Sequence, residues 1–105
     1  MTSTVEQLVE QIRVATDYQK NKHTLKEKIL TDLHLVHAGG LFLISPAILA
    51  FVTTWPDNTL FLEDVYSNPI KINRDEFLTA AREHYQSIMN LWHIEHDKLK
   101  QIRKI

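Results

Sequence analysis

One run near the end of the chain constrains the fold more than any other. Leu78, Ala81, Tyr85, Ile88, Trp92, Glu95, Leu99 and Ile102 fall at alternating steps of three and four, the heptad seam of a long amphipathic helix. Asn73 or Asp75 is placed to cap its start, and Asp75 and Glu76 sit in a first turn whose backbone dipole favours acids. A helix from about Arg74 to Lys104 is about 45 Å long at 1.5 Å per residue. A chain of 105 residues makes one domain, 1–105, with one core, and that core does not cover so long an element. Either the far end packs back along the N-terminal helices, or it protrudes and pairs with another chain.

The N-terminal half predicts two helices. Val5, Leu8, Val9 and Ile12 form an i, i+3, i+4, i+7 stripe, with Ser3 or Thr4 as cap. A polar break is expected at "DYQKNKHT". Thr24 then opens a second helix with Leu25, Ile29, Leu33 and Val36 on one face, ending at Gly39-Gly40. After the glycines, "LFLIS" reads as a short buried strand. Ser45-Pro46 is a helix start, a hydroxyl cap followed by proline at the first helical position. "TLFLEDV" and "PIKIN" alternate as a strand pair, a hairpin over about 59–73, with Pro69 at a strand start or on an edge.

The expected fold is therefore α+β: N-terminal helices, a small mainly antiparallel sheet and a long C-terminal helix. The alternative treats "DLHLVHA", "GLFLIS", "AILAFVTTW", "TLFLEDV" and "PIKIN" as five strands of a small Sm-like barrel flanked by helices. Ser45-Pro46 weighs for helix over 46–55, Val52-Thr53-Thr54-Trp55 for strand. From Ala38 to Pro56 the chain has no charged residue, and this is about the length of a membrane helix. The glycine pair and the Ser-Pro step break it, so a buried centre of the fold is expected and no membrane association.

Composition excludes several function classes. The charges nearly balance, 12 Lys+Arg against 13 Asp+Glu, so no global field draws the chain to nucleic acid. The absence of cysteine rules out disulfides, thiol catalysis and thiolate-bound zinc. The polar, acidic start "MTSTVEQLVEQ" is neither a secretory signal nor a transit peptide, which makes a cytoplasmic location the default. There is no glycine-rich phosphate loop and no nucleophile elbow. Glu63 and Asp64 are strand neighbours that point to opposite faces. No catalytic residues, no small-molecule substrate and no cofactor are expected.

Three constellations remain. His34 and His37, like His93 and His96, are three apart, a spacing that on helices sets imidazoles on one side. They lack the His-Glu-x-x-His order of a zinc enzyme, so no metal site is assigned. Lys20, Lys22, Lys26 and Lys28 form one basic cluster; Lys98, Lys100, Arg103 and Lys104 form another. Brought together or repeated around a ring, they would hold phosphates; separately they are a solvated loop and a dipole-paired helix end. The third is the heptad seam itself, whose Tyr85, Ile88, Trp92, Leu99 and Ile102 are candidates for contact with a partner.

From Gly39 to Ile105, through "GGLFLISPAILAFVTTWP", "LFLEDVYSNPIKINRDEF" and "REHYQSIMNLWHIEH", the chain resembles short proteins encoded by contractile-tailed marine cyanophages and found in ocean metagenomes. The resemblance brings no activity and no functional residue. It implies a viral setting, host cytoplasm or virion, for a non-enzymatic protein. Together these readings make protein–protein assembly through the C-terminal seam the expected function, as a homo-oligomer or with another viral protein. A nucleic-acid-binding oligomer using the two basic clusters is the alternative.

Overall fold

The computed structural model describes residues 3–103, and side-chain surroundings for 4–101. The order is α1 (Ser3–Asp32), β1 (His34–His37), β2 (Gly40–Leu43), α2 (Pro46–Thr54), β3 (Thr59–Glu63), β4 (Pro69–Asn73) and α3 (Arg74–Arg103). The α+β expectation holds. The two N-terminal helices are one, however, because "DYQKNKHT" contains neither glycine nor proline, and each of its residues costs a helix less than about 1 kcal/mol relative to alanine.

The helix ends at Asp32, earlier than the glycines, because the chain turns there onto ring caps. The Leu33 N–H donates to the Ile29 carbonyl at 2.9 Å. His34 Nδ1 lies 3.0 Å from the carbonyls of Leu30 and Thr31, and His84 Nε2 lies 2.6 Å from that of Asp32. Carbonyls only accept, so both rings donate and satisfy the last turn's free acceptors. Val36 thus belongs to a strand and is exposed.

The strands form two separate antiparallel hairpins, β1–β2 and β3–β4. The first turns through Ala38 and Gly39, at φ 51° and 84°, the left-handed pair that a two-residue hairpin loop requires. In the second, Leu60 pairs with Ile72 and Leu62 with Ile70, and Pro69 begins the strand. Neither hairpin closes on the other, so the Sm-like barrel is not formed. The 46–55 stretch is helical through Thr54 rather than a strand: the Ser45 hydroxyl accepts from the Ile48 N–H at 3.3 Å, with Pro46 at the first position. Asn73, not Asp75, caps α3, accepting from the Glu76 N–H at 3.0 Å.

Hairpins, α2 and the first turns of α3 enclose a core of Phe42, Ile44, Val52, Leu60, Ile72, Phe77, Leu78 and Ala81. Phe77 is its centre, fully buried, with the rings of Phe42 and His37 edge-on at 5.4 Å. At Gly40 the first hairpin lies close against the second. A β-carbon there would stand 2.7 Å from Ile70 Cγ1 and 3.1 Å from the Phe42 ring. Gly40→Ala is accordingly expected to cost about 1–3 kcal/mol of stability through overpacking, read as a lower urea midpoint; an unchanged midpoint would mean that the hairpins slide apart freely.

This head is small, and the molecule is long. The radius of gyration is 20.1 Å and the longest dimension 72 Å, whereas a compact domain of this size has a radius near 13 Å. The excess is a stalk made of α1 and α3, each 30 residues long. Among the described residues no helix is long and apolar enough to cross a membrane. The uncharged run is divided between β2 and the nine-residue α2.

Candidate assembly interface on the stalk

The two stalk helices run antiparallel. The His84–Asp32 contact ties them at the head, where the positions sum to 116 (32 + 84). Farther out, Gln19 and Lys26 share a groove with His96 and Met89, at sums of 115 (19 + 96 and 26 + 89). Both helices rise about 1.5 Å per residue, so the register carries on unchanged. It sets Arg103, the last described residue of α3, across from Arg13 (116 − 103 = 13). Residues 3–12 of α1 therefore overhang, extending about 15 Å past that point.

The overhang is apolar on one side. Val5, Leu8, Val9 and Ile12 are 56–69% exposed, the stripe expected to face a core. In this register the stripe lies past Arg103, the last described residue of α3. Four large aliphatic side chains on one contiguous stripe are unusual for a surface left in water.

Closer to the head, the same side of the stalk carries a groove of about 410 Å³. Gln19, Lys22, His23 and Lys26 form its α1 wall; Met89, Trp92, His93 and His96 form its α3 wall. A smaller cavity of about 220 Å³ continues it to Leu43 and Pro46 of the head, sharing Lys26, Met89 and Trp92. At about 100° per residue, Val5, Leu8, Ile12, Gln19, His23 and Lys26 fall within one sector of α1 roughly 60° wide. Stripe and groove wall are one face.

The seam residues of α3 are shared between this groove and the inside of the stalk. Tyr85 packs against the core cluster, and Ile88, Trp92 and Leu99 are half-buried. The long helix thus packs back along α1 rather than standing alone. The side chain of Ile102 lies outside the described residues. Met89 and the α1 residues of the groove had no individual signal in the sequence, since they become neighbours only through the antiparallel register.

The basic clusters adjoin only at their ends, where Lys98 lies across from position 18, two residues from Lys20. Lys22 and Lys26 share the groove wall, whereas Lys20 and Lys28 leave α1 in other directions at about 100° per residue. In the same register Lys98 and Lys100 lie across from 18 and 16 (116 − 98, 116 − 100), beside Asp17 and Arg13. Lys98 pairs with Glu95 at 3.2 Å; Lys104 and the side chain of Arg103 lie outside the described residues.

The histidines separate too. His34 caps α1, and His37 stands against Phe77, so this pair sits on a strand and not on one helix face. His93 pairs with Asp97 at 3.3 Å and His23 with Glu27 at 2.9 Å. Among the described residues no three or more of histidine, cysteine, aspartate and glutamate converge as a metal's ligands would.

Asp64 is the one buried charged side chain among the described residues, and its role is to hold the two hairpins. Its carboxylate accepts from the N–H groups of Asn68 at 2.8 Å, Tyr66 at 3.0 Å and Leu41 at 3.4 Å. The Val65 N–H meets the Leu41 carbonyl alongside, at 2.9 Å. The Asn68 N–H is the main influence holding the carboxyl below its ordinary pKa; burial opposes it, and Leu41 and Tyr66 reinforce it. With the folded value lowered, the ionised form stabilises the protein above the unfolded value, near 4. That stability is lost as pH falls through the folded value. Asp64→Asn should therefore unfold at a lower temperature than the parent at neutral pH, and the gap should narrow as pH falls below about 4. A gap independent of pH in thermal melts would contradict this.

No protein-family model matches the chain, and no curated protein or solved structure is significantly similar to it.

Proposed function

We propose that the protein acts without chemistry of its own, by self-assembly through its stalk. The observation that supports this is the exposed stripe of Val5, Leu8, Val9 and Ile12, which lies past the described end of α3. Burying aliphatic side chains of this size stabilises by about 1.5–3 kcal/mol each. A second chain supplies that burial. The seam of α3 contributes through Trp92, which is half-buried and lines the groove. The cyanophage resemblance gives the proposal its setting, a virion component or an assembly factor.

Nucleic-acid binding draws less support, because of the 20–28 lysines only Lys22 and Lys26 share a groove, and Lys98 is paired with Glu95. Fluorescence tests the assembly reading. In a Trp55→Phe background Trp92 is the only indole. Its emission should lie at shorter wavelength than in the same chain carrying Leu8→Glu and Val9→Glu, since a covered indole is shielded from water. Equal emission from the two proteins would contradict the reading.

A further inference from the structure

We infer that the groove between α1 and α3 is a binding site for a long-chain carboxylate, whose charged end meets Lys22 and Lys26 and whose alkyl tail runs on towards Leu43. This goes beyond self-assembly and does not depend on it, because both walls of the groove belong to one chain.

The outer end of the site carries unbalanced charge. Lys22 and Lys26 stand four residues apart on one face of α1, and both line the groove. Like charges at that spacing repel along a helix. No carboxylate lines the groove with them, and neither ammonium is ion-paired among the described residues. The carboxylates one turn on from lining residues, Glu27 and Asp97, pair with His23 and His93 at 2.9 and 3.3 Å. An anion seated at the two lysines relieves their repulsion. His96 on the opposite wall adds a ring N–H as a further donor.

The inner end is apolar. The cavity of about 220 Å³ shares Lys26, Met89 and Trp92 with the groove and is walled beyond them by Leu30, Leu33 and Leu43. Its one cation is the shared Lys26, and no carboxylate lines it. The Ser45 hydroxyl on its lining is already taken by the Ile48 N–H at 3.3 Å. Such a compartment suits hydrocarbon, since a polar group moved into it loses its hydration with little in return.

Charge and apolar surface thus follow one another along a single path. On α1 that path runs from Gln19 to Leu33, about 21 Å at 1.5 Å per residue. The groove's own volume, about 410 Å³, is that of a small-ligand site. A fully polar anion would leave the inner cavity unused, and an uncharged oil would leave the lysine pair unneutralised. An anion with an alkyl tail satisfies both ends.

Equilibrium dialysis of the full-length chain tests this with three probes kept below micelle-forming concentrations: dodecanoate, hexanoate and uncharged dodecanol. Dodecanoate is expected to bind saturably, one per chain. Hexanoate should bind about tenfold more weakly or worse, since each methylene withdrawn from water strengthens binding by up to about fourfold. Dodecanol should also bind about tenfold more weakly, for want of the charged contact. Lys22→Gln with Lys26→Gln should bring dodecanoate down to the level of dodecanol and leave dodecanol as it was. Leu30→Trp, at a position 45% exposed and so compatible with the fold, should fill the inner cavity, weakening dodecanoate and sparing hexanoate. Absence of saturable dodecanoate binding, equal binding of dodecanoate and dodecanol, or dodecanoate binding unmoved by either set of substitutions would overturn the inference.

Discussion

Phe77→Ala is expected to lower the unfolding free energy by about 3–5 kcal/mol, a large share of the roughly 5–15 kcal/mol that holds a domain folded. The reason lies in where the ring sits. Phe77 is fully buried on the first turns of α3, and its ring meets Phe42 of the β1–β2 hairpin and His37 beside it. The same cluster includes Leu60 and Ile72 of the other hairpin and Val52 of α2. Truncation to alanine thus opens a cavity inside the cluster where both hairpins, α2 and α3 meet. Urea denaturation checks this through a lower midpoint at unchanged slope, the sign of lost stability rather than altered compactness. A loss below about 1 kcal/mol would place the fold's centre elsewhere.

The second large effect concerns association and leaves the fold alone. Leu8→Glu with Val9→Glu removes two aliphatic side chains from the stripe, each worth about 1.5–3 kcal/mol when buried. Together that is roughly 3–6 kcal/mol, or a weakening of self-association by about 10²- to 10⁴-fold. Both positions are exposed within one chain, so the stability of the isolated chain should shift by no more than about 0.5 kcal/mol. Sedimentation equilibrium measures the first quantity and urea denaturation of the dilute protein the second. Equal association of the parent and the doubly substituted chain would remove the stripe from the interface.

What the sequence conveyed was local. The Ser45-Pro46 start, the Asn73 cap, the proline opening β4 and the alternating Leu60, Leu62, Ile70 and Ile72 each carry their own short-range chemistry, and each appears where that chemistry puts it. The errors came where tertiary contacts decide. Nothing within "DYQKNKHT" tells a polar loop from the exposed middle of a helix, because such residues are weak helix formers and not breakers. The end of α1 depends on His84, 52 positions away from Asp32. His34 and His37 read as a helical pair only until the strand separates them.

The candidate interface was half legible for the same reason. Val5, Leu8, Val9 and Ile12 were plain as a stripe, and Trp92 as part of a seam. Whether a stripe is core or surface depends on what lies opposite, and that follows from the antiparallel register of α1 and α3. Only the register reveals that residues 3–12 extend past the described end of α3, and that Gln19, His23, Met89 and Trp92 wall one groove.

A native mass spectrum of the untagged chain puts self-assembly itself to the test. The chain weighs 12.3 kDa, so a dimer, the smallest assembly, gives 24.6 kDa (2 × 12.3). That mass or a larger oligomer is expected for the parent chain, with the Leu8→Glu, Val9→Glu chain at 12.3 kDa under the same conditions. A parent chain found only at 12.3 kDa, at concentrations where the doubly substituted chain gives the same spectrum, would contradict assembly through the stalk.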